Sequence, residues 1–121
     1  MAILRRAASW LKPGGRAQII VPNANSVHRL VGVKMGLLSA PTDLNQDDIR
    51  IGHRRVYTPE TLLADIRAAG LRVIGRTGIF FKPISNGQIE DSWSQEMING
   101  FYELGKDFPD LATEILMACE R

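Results

Sequence analysis

Two transitions of the same kind, from a helix through a glycine into a short apolar run, constrain this chain most. Ile3, Leu4, Ala7, Trp10 and Leu11 recur at helical spacing over residues 2–12, and Pro13-Gly14-Gly15 follows them. Proline cannot continue the ladder and glycine takes the left-handed turn, so the helix stops there. Gln18-Ile19-Ile20-Val21, closed by Pro22, then predicts a buried strand over 17–21. Further along, Thr58-Pro59-Glu60 opens a second helix. Threonine caps, proline suits the first helical position, and an early carboxylate suits the helix dipole. Leu62, Leu63, Ile66 and Ala69 supply its buried face, Gly70 ends it, and residues 71–76 read as the next strand, with room to run on toward Phe81. Helix, glycine and buried strand, used twice, predict an α/β sheet.

The remaining segments fill out that sheet. Asn23-Ala24-Asn25-Ser26 suits a turn that caps a following helix over 27–38, which Gly32 and Gly36 weaken. Residues 39–52 show little periodicity and read as an irregular polar connection. Ser92-Trp93-Ser94-Gln95 has capping-box form, and Trp93, Met97, Phe101 and Leu104 then share one helix face that reads as core. Ile115-Leu116-Met117-Ala118-Cys119 is apolar throughout, as expected of a strand covered on both faces. Three strands and four helices in one folding unit result. Finished α/β sheets rarely stop at three strands, so the pattern predicts part of a larger sheet.

Composition excludes several classes. At 45% apolar and 23% charged residues, the chain is ordinary for a soluble globular protein. With a net charge of +2 and arginines in scattered pairs, it offers only a weak basic face for nucleic acid. A single cysteine excludes an internal disulfide and, with no signal-peptide pattern or membrane-length apolar run, the cytoplasm is the expected compartment. Two histidines 25 positions apart and Cys119 in an apolar run match no usual metal-ligand spacing. Cys119 reads as a small hydrophobe.

The order of segments resembles class I S-adenosylmethionine-dependent methyltransferases of the small-molecule and sugar-modifying kind. The matching residues are Trp10-Leu11-Lys12-Pro13-Gly14-Gly15 before a strand, then Val21-Pro22-Asn23-Ala24-Asn25. Gly52-His53-Arg54-Arg55-Val56-Tyr57-Thr58-Pro59-Glu60-Thr61-Leu62 and Ala68-Ala69-Gly70-Leu71-Arg72-Val73 follow in the family's order. The resemblance implies a partial Rossmann-like sheet. In it 17–21 would be strand five, 71–76 strand six, and 113–120 an antiparallel strand seven inserted between them. It also implies transfer of a methyl group to a small molecule, such as a sugar or glycan precursor. The family's glycine-rich cofactor turn has no counterpart here, because no Gly-x-Gly-x-x-Gly occurs in the sequence. S-adenosylmethionine is therefore expected to bind the whole enzyme and not this chain, which alone is expected to be inactive. Strands one to four are expected upstream of Met1 or on a second chain.

Ligands in open α/β sheets sit beyond the carboxyl ends of the strands, which points to Asn23, Asn25 and His28 as substrate-binding candidates. His28 and His53 are candidate bases, since histidine titrates near neutrality. The plainer reading makes each an ordinary helix-end or loop residue. Arg54, Arg55 and Tyr57 are candidates for a phosphorylated or carboxylated substrate, or for surface salt links. Residues 26–52 form a lid over the substrate or packing for a helix face. The Gly32-to-Gly36 spacing reads as flexibility. A second reading makes the chain a non-catalytic interaction module that pairs with its own kind through the open edge of strand 17–21.

Overall fold

The computed structural model describes residues 2–52, 55–84 and 86–121. In chain order the elements are α1 (Ala2–Trp10), β1 (Arg16–Pro22), α2 (Val27–Lys34), α3 (Gln46–Arg50), α4 (Pro59–Ala68), β2 (Arg72–Ile79), α5 (Asn86–Ser92), α6 (Gln95–Asp107) and β3 (Glu114–Glu120). The strands form one sheet in the order β1-β3-β2, with β3 antiparallel to both neighbours. β1 and β2 therefore run parallel, each preceded by a helix, and the last strand lies between them.

Register across β3 is tight. Met117 faces Ile19 on one side and Arg76 on the other, and a bulge between Val73 and Gly75 keeps β2 in step. Ile115, Met117 and Cys119 point into a core shared with Ala8 of α1, Leu62 and Ile66 of α4, and Leu71. Burial alternates along β3 between buried and half-buried positions, so the all-apolar run 115–119 has one sealed face and one partly covered one. Among the described residues α1 and α4 seal one face, and the other stays half-open, with Ile20 51% exposed.

Helix ends follow the local chemistry. Thr58 accepts from the Thr61 amide and Thr61 Oγ1 accepts from the Thr58 amide, a reciprocal cap on α4. α2 stops at Lys34, short of the expected residue 38, because Gly36 adopts φ 79°. The Gly36 and Leu37 amides then donate back to the carbonyls of Val33 and Gly32, closing the helix. Leu4 and Ala8 of α1, with Leu11 just past its end, face the core, Ala8 fully and the two leucines in part, which leaves Ile3 and Trp10 in solvent.

α6 meets the end of β2 through two glycines. A Cβ on Gly78 would come within 2.5 Å of the Gly105 carbonyl oxygen, and one on Gly105 within 2.5 Å of the Phe80 nitrogen. The aromatic stripe expected in the core makes a cluster of its own. Trp93 stacks on Phe101 at 4.6 Å, while Met97 is 43% exposed. No helix among the described residues is long and apolar enough to cross a membrane.

Candidate functional site

The turn leaving β1 is fixed by Asn23, which is fully buried. Its side-chain amide donates to the carbonyls of Asp110 (3.0 Å) and Ala112 (2.9 Å), and its Oδ1 accepts from the Asn25 amide (2.9 Å). The backbone amides here are spent inside the protein. Asn23, Ala24, Ser26 and Val27 donate to the carbonyls of Thr113, Tyr57, Asn23 and Leu111. This strand-to-helix turn thus offers no row of amides to a carboxylate or phosphate, the service a glycine-rich turn provides. Cofactor binding by that route does not fit these residues.

Ser26 takes the N-cap position of α2, yet its side chain makes no cap bond there. Its hydroxyl lies 3.1 Å from His28 Nδ1, which leaves Nε2 as the ring nitrogen that can serve a ligand. Burial, then the nearby charges of Lys82 and Arg29, lower the His28 pKa from 6.5 to about 4. The imidazole is neutral across the physiological range.

Arg29 holds the connection between α2 and α3 together. Its guanidinium is buried, donates to the Pro41 carbonyl (2.9 Å) and to the Asp43 carbonyl, and pairs with buried Asp48 at 3.1 Å. Asp48 Oδ2 also accepts from the Asn45 amide (3.0 Å), and Asn45 Oδ1 accepts from the Asp48 amide (2.8 Å). Asp43 accepts from the amides of Ser39 and Ala40. The stretch expected to be irregular is therefore wound around one arginine and contains α3.

On the opposite side, Phe80 turns the chain out of β2 with φ 64°, its ring stacked on Tyr102 at 4.7 Å. That left-handed residue is costly for a bulky side chain. Buried Lys82 comes two residues later, its pKa lowered by burial against the pull of Glu114. Pro83, Ile84 and Gln88 complete this side.

Between these two walls lies a cleft of about 730 Å³, lined by His28, Arg29, Val31, Gly32, Met35, Leu37, Leu38, Asn45, Gln46, Pro83, Ile84 and Gln88. Its walls are the segments that leave the carboxyl ends of β1 and β2, the two parallel strands. Of the candidate bases and substrate-binding residues named from the sequence, His28 alone lines it among the described residues, together with parts of the 26–52 segment. Asn23 and Asn25 form the turn below. Tyr57 bridges Asn23 through the backbone, donates its hydroxyl to Asp65 (2.8 Å) and lies under the Arg55 guanidinium at 4.5 Å. Burial and then Asp65 raise the Tyr57 pKa, and Arg55 itself donates to Asp65 at 2.8 Å. This trio ties the segment before α4 to Asp65 on the helix. His53 and Arg54 lie outside the described residues.

Arg29, Asn45 and Gln46 are cleft residues that the sequence did not single out. The signals it held were a lone arginine beside Leu30 and Val31, and the Asn45-to-Asp48 spacing of a helix start. Cys119 is fully buried and burial raises its thiol pKa, as suits a packing residue. No group of His, Cys, Asp and Glu able to hold a metal ion occurs among the described residues. No family model matches the chain, and no curated protein matches its sequence.

Proposed function

We propose that this chain is the C-terminal, acceptor-side part of a class I S-adenosylmethionine-dependent methyltransferase acting on a small molecule. The observation that carries the reading is a cleft beyond the carboxyl ends of two parallel strands that flank a reversed one. The segment order of the sequence supports the same family. In this reading β1, β2 and β3 are strands five, six and seven of a Rossmann-like sheet, and residues 26–52 are the lid over the acceptor. A methyltransferase chiefly positions its nucleophile for in-line displacement. His28, held by Ser26 and neutral, orients an acceptor hydroxyl by hydrogen bonding; with its pKa near 4 it is a weak base. The methyl donor's binding turn is not among the described residues.

Two measurements test this. Calorimetric titration of the chain with S-adenosylmethionine is expected to give no saturable signal, and tight stoichiometric binding would overturn the assignment of the donor site to another segment. The reading frame upstream of the Met1 codon is expected to encode a strand, a Gly-x-Gly turn and a helix. A frame without them would leave a second chain as the source of the donor half.

A second reading is favoured by the outer edge of β1, an interaction module that self-associates. Among the described residues that edge meets only the Asn23–Tyr57 bridge beyond its end, and Ile20 stands half-exposed beside it. Unpaired strand edges recruit further strands.

A further inference from the structure

Buried Arg29 belongs to one wall of the cleft and buried Lys82 to the segment that forms the other. From this placement we infer that the cleft takes an acidic hydroxy compound on an apolar body, of the phenol kind, and holds it at His28 as its oxyanion. Reading that oxygen as the methyl acceptor rests on the proposed function; its binding in ionised form does not.

The cleft's size, about 730 Å³, falls within the roughly 300–1,000 Å³ typical of small-molecule sites. Val31, Met35, Leu38, Pro83 and Ile84 give it apolar walls suited to a ring system. The potential at its polar end is positive. Lys82 and Arg29 are 8% and 4% exposed, and water screens buried charges little. At the His28 ring each of the two acts more strongly than Asp48 opposes them, while Glu114 acts on Lys82. His28 also stands in the first turn of α2, two residues past the N-cap Ser26, where the helix dipole is positive. A field that discourages a proton on the imidazole favours a negative oxygen beside it.

The ring is set to meet such an oxygen. With the Ser26 hydroxyl donating to Nδ1 at 3.1 Å, the imidazole proton sits on Nε2, and a ligand atom there must accept it. His28 gives one donor to one oxygen. The Arg29 fork, which could grip a carboxylate or phosphate in two places, already serves Asp48 and the carbonyls of Pro41 and Asp43. Apolar walls penalise a concentrated charge most. An oxyanion that spreads its charge into an aromatic body fits both conditions. An oxygen that binds already ionised also asks for no base, and His28 is too weak to serve as one.

The experiment uses the chain itself, without any methyl donor, so its outcome is independent of the methyltransferase reading. Three probes share one ring system: 6-cyano-2-naphthol, whose anion has its own absorption band, its methyl ether, and the cation 2-naphthylmethylammonium. Bound naphthol is expected to titrate about one unit below the free compound, which is about tenfold tighter binding of the anion than of the neutral form. The ether is expected to bind more weakly than the naphtholate, and the cation more weakly still. Lys82→Met is expected to return the bound naphthol toward its free pKa while leaving the ether's binding unchanged. His28→Phe keeps the ring volume, removes the donor, and is expected to weaken the naphtholate roughly fivefold. A bound pKa equal to or above the free one would overturn the inference, as would binding of the cation as tight as the naphtholate or no saturable binding of the naphthol. Should either variant fail to fold, the titration on the native chain still decides.

Discussion

Arg29 on α2 and Asp48 on α3 form a buried ion pair at 3.1 Å, with 5% and 9% of their side chains exposed. Burying two charges is costly unless their remaining hydrogen-bonding capacity is also met. Here it is met by backbone: Arg29 serves two carbonyls and Asp48 receives the Asn45 amide. The pair thus converts a polar stretch of chain into a wall of the cleft.

Arg29→Ala removes the guanidinium that Asp48 meets at 3.1 Å inside the protein. The expected loss is about 3–5 kcal/mol of local stability, read as faster hydrogen exchange at the amides of residues 45–50 and a lower urea midpoint. Arg29→Lys is expected to rescue only in part, because one ammonium cannot reproduce the planar fork that reaches Pro41, Asp43 and Asp48 together. Full rescue by lysine would mean that charge alone holds the connection.

The local grammar that made the α/β sheet legible was backbone chemistry that a sequence states outright. Pro13-Gly14-Gly15 and Gly70 stop α1 and α4 just ahead of β1 and β2, and Thr58-Pro59 opens α4. The connection 39–50 was illegible for the opposite reason. Its order comes from a long-range contact between Arg29 and carbonyls twelve and fourteen residues on, and no periodicity records that. His28 could be placed because β1 ends just before it. The other wall of the cleft depends on how Phe80 redirects the chain after β2, which a run of Ile79, Phe80 and Phe81 does not disclose.

His28 also links stability to pH. Its folded pKa of about 4 lies below the unfolded value of 6.5, so between them the unfolded chain binds more protons. The stabilisation from keeping His28 neutral is thus fully present above pH 6.5 and is lost as pH falls toward 4, with no further change below. Its ring is partly exposed, so the effect is expected on the order of 1–2 kcal/mol after screening. Urea midpoints measured across this window for the native chain and His28→Gln isolate it from the carboxylates. Parallel pH profiles for the two would refute the depressed pKa.

Gly78 and Gly100 make opposed expectations from the same substitution. Gly78→Ala would drive a Cβ to 2.6 Å from the Ala112 Cβ and the Pro109 Cα and 2.5 Å from the Gly105 oxygen. Two of these atoms are backbone and cannot swing aside, so a loss of about 3 kcal/mol or more is expected. Gly100 lies inside α6 with nothing within 4 Å of its Cβ position. Gly100→Ala should stabilise by about 0.5–1 kcal/mol through helix propensity and a less flexible unfolded chain. Thermal midpoints moving in opposite directions would support the glycine-to-glycine seating of α6 on β2. A tolerated Gly78→Ala would show that α6 can move away.

Ile20 decides whether the half-open sheet associates. It stands opposite Leu116 in the register, on the face that α1 and α4 leave uncovered, in a strand with one long edge unpaired among the described residues. Ile3 and Trp10, 82% and 77% exposed, add apolar surface on α1. Self-association is therefore expected to rise with concentration in sedimentation velocity. Ile20→Lys keeps a strand-compatible stem but puts a charge beside the edge, the device natural edge strands use against pairing. It is expected to shift the profile toward monomer with little change in the urea midpoint, since Ile20 is not part of the sealed core. Trp10→Lys, placed on the helix, separates the alternatives. If it dissociates the assembly and Ile20→Lys does not, the contact runs through α1. A monomeric native chain at high concentration would remove the interaction-module reading altogether, while leaving the cleft untouched.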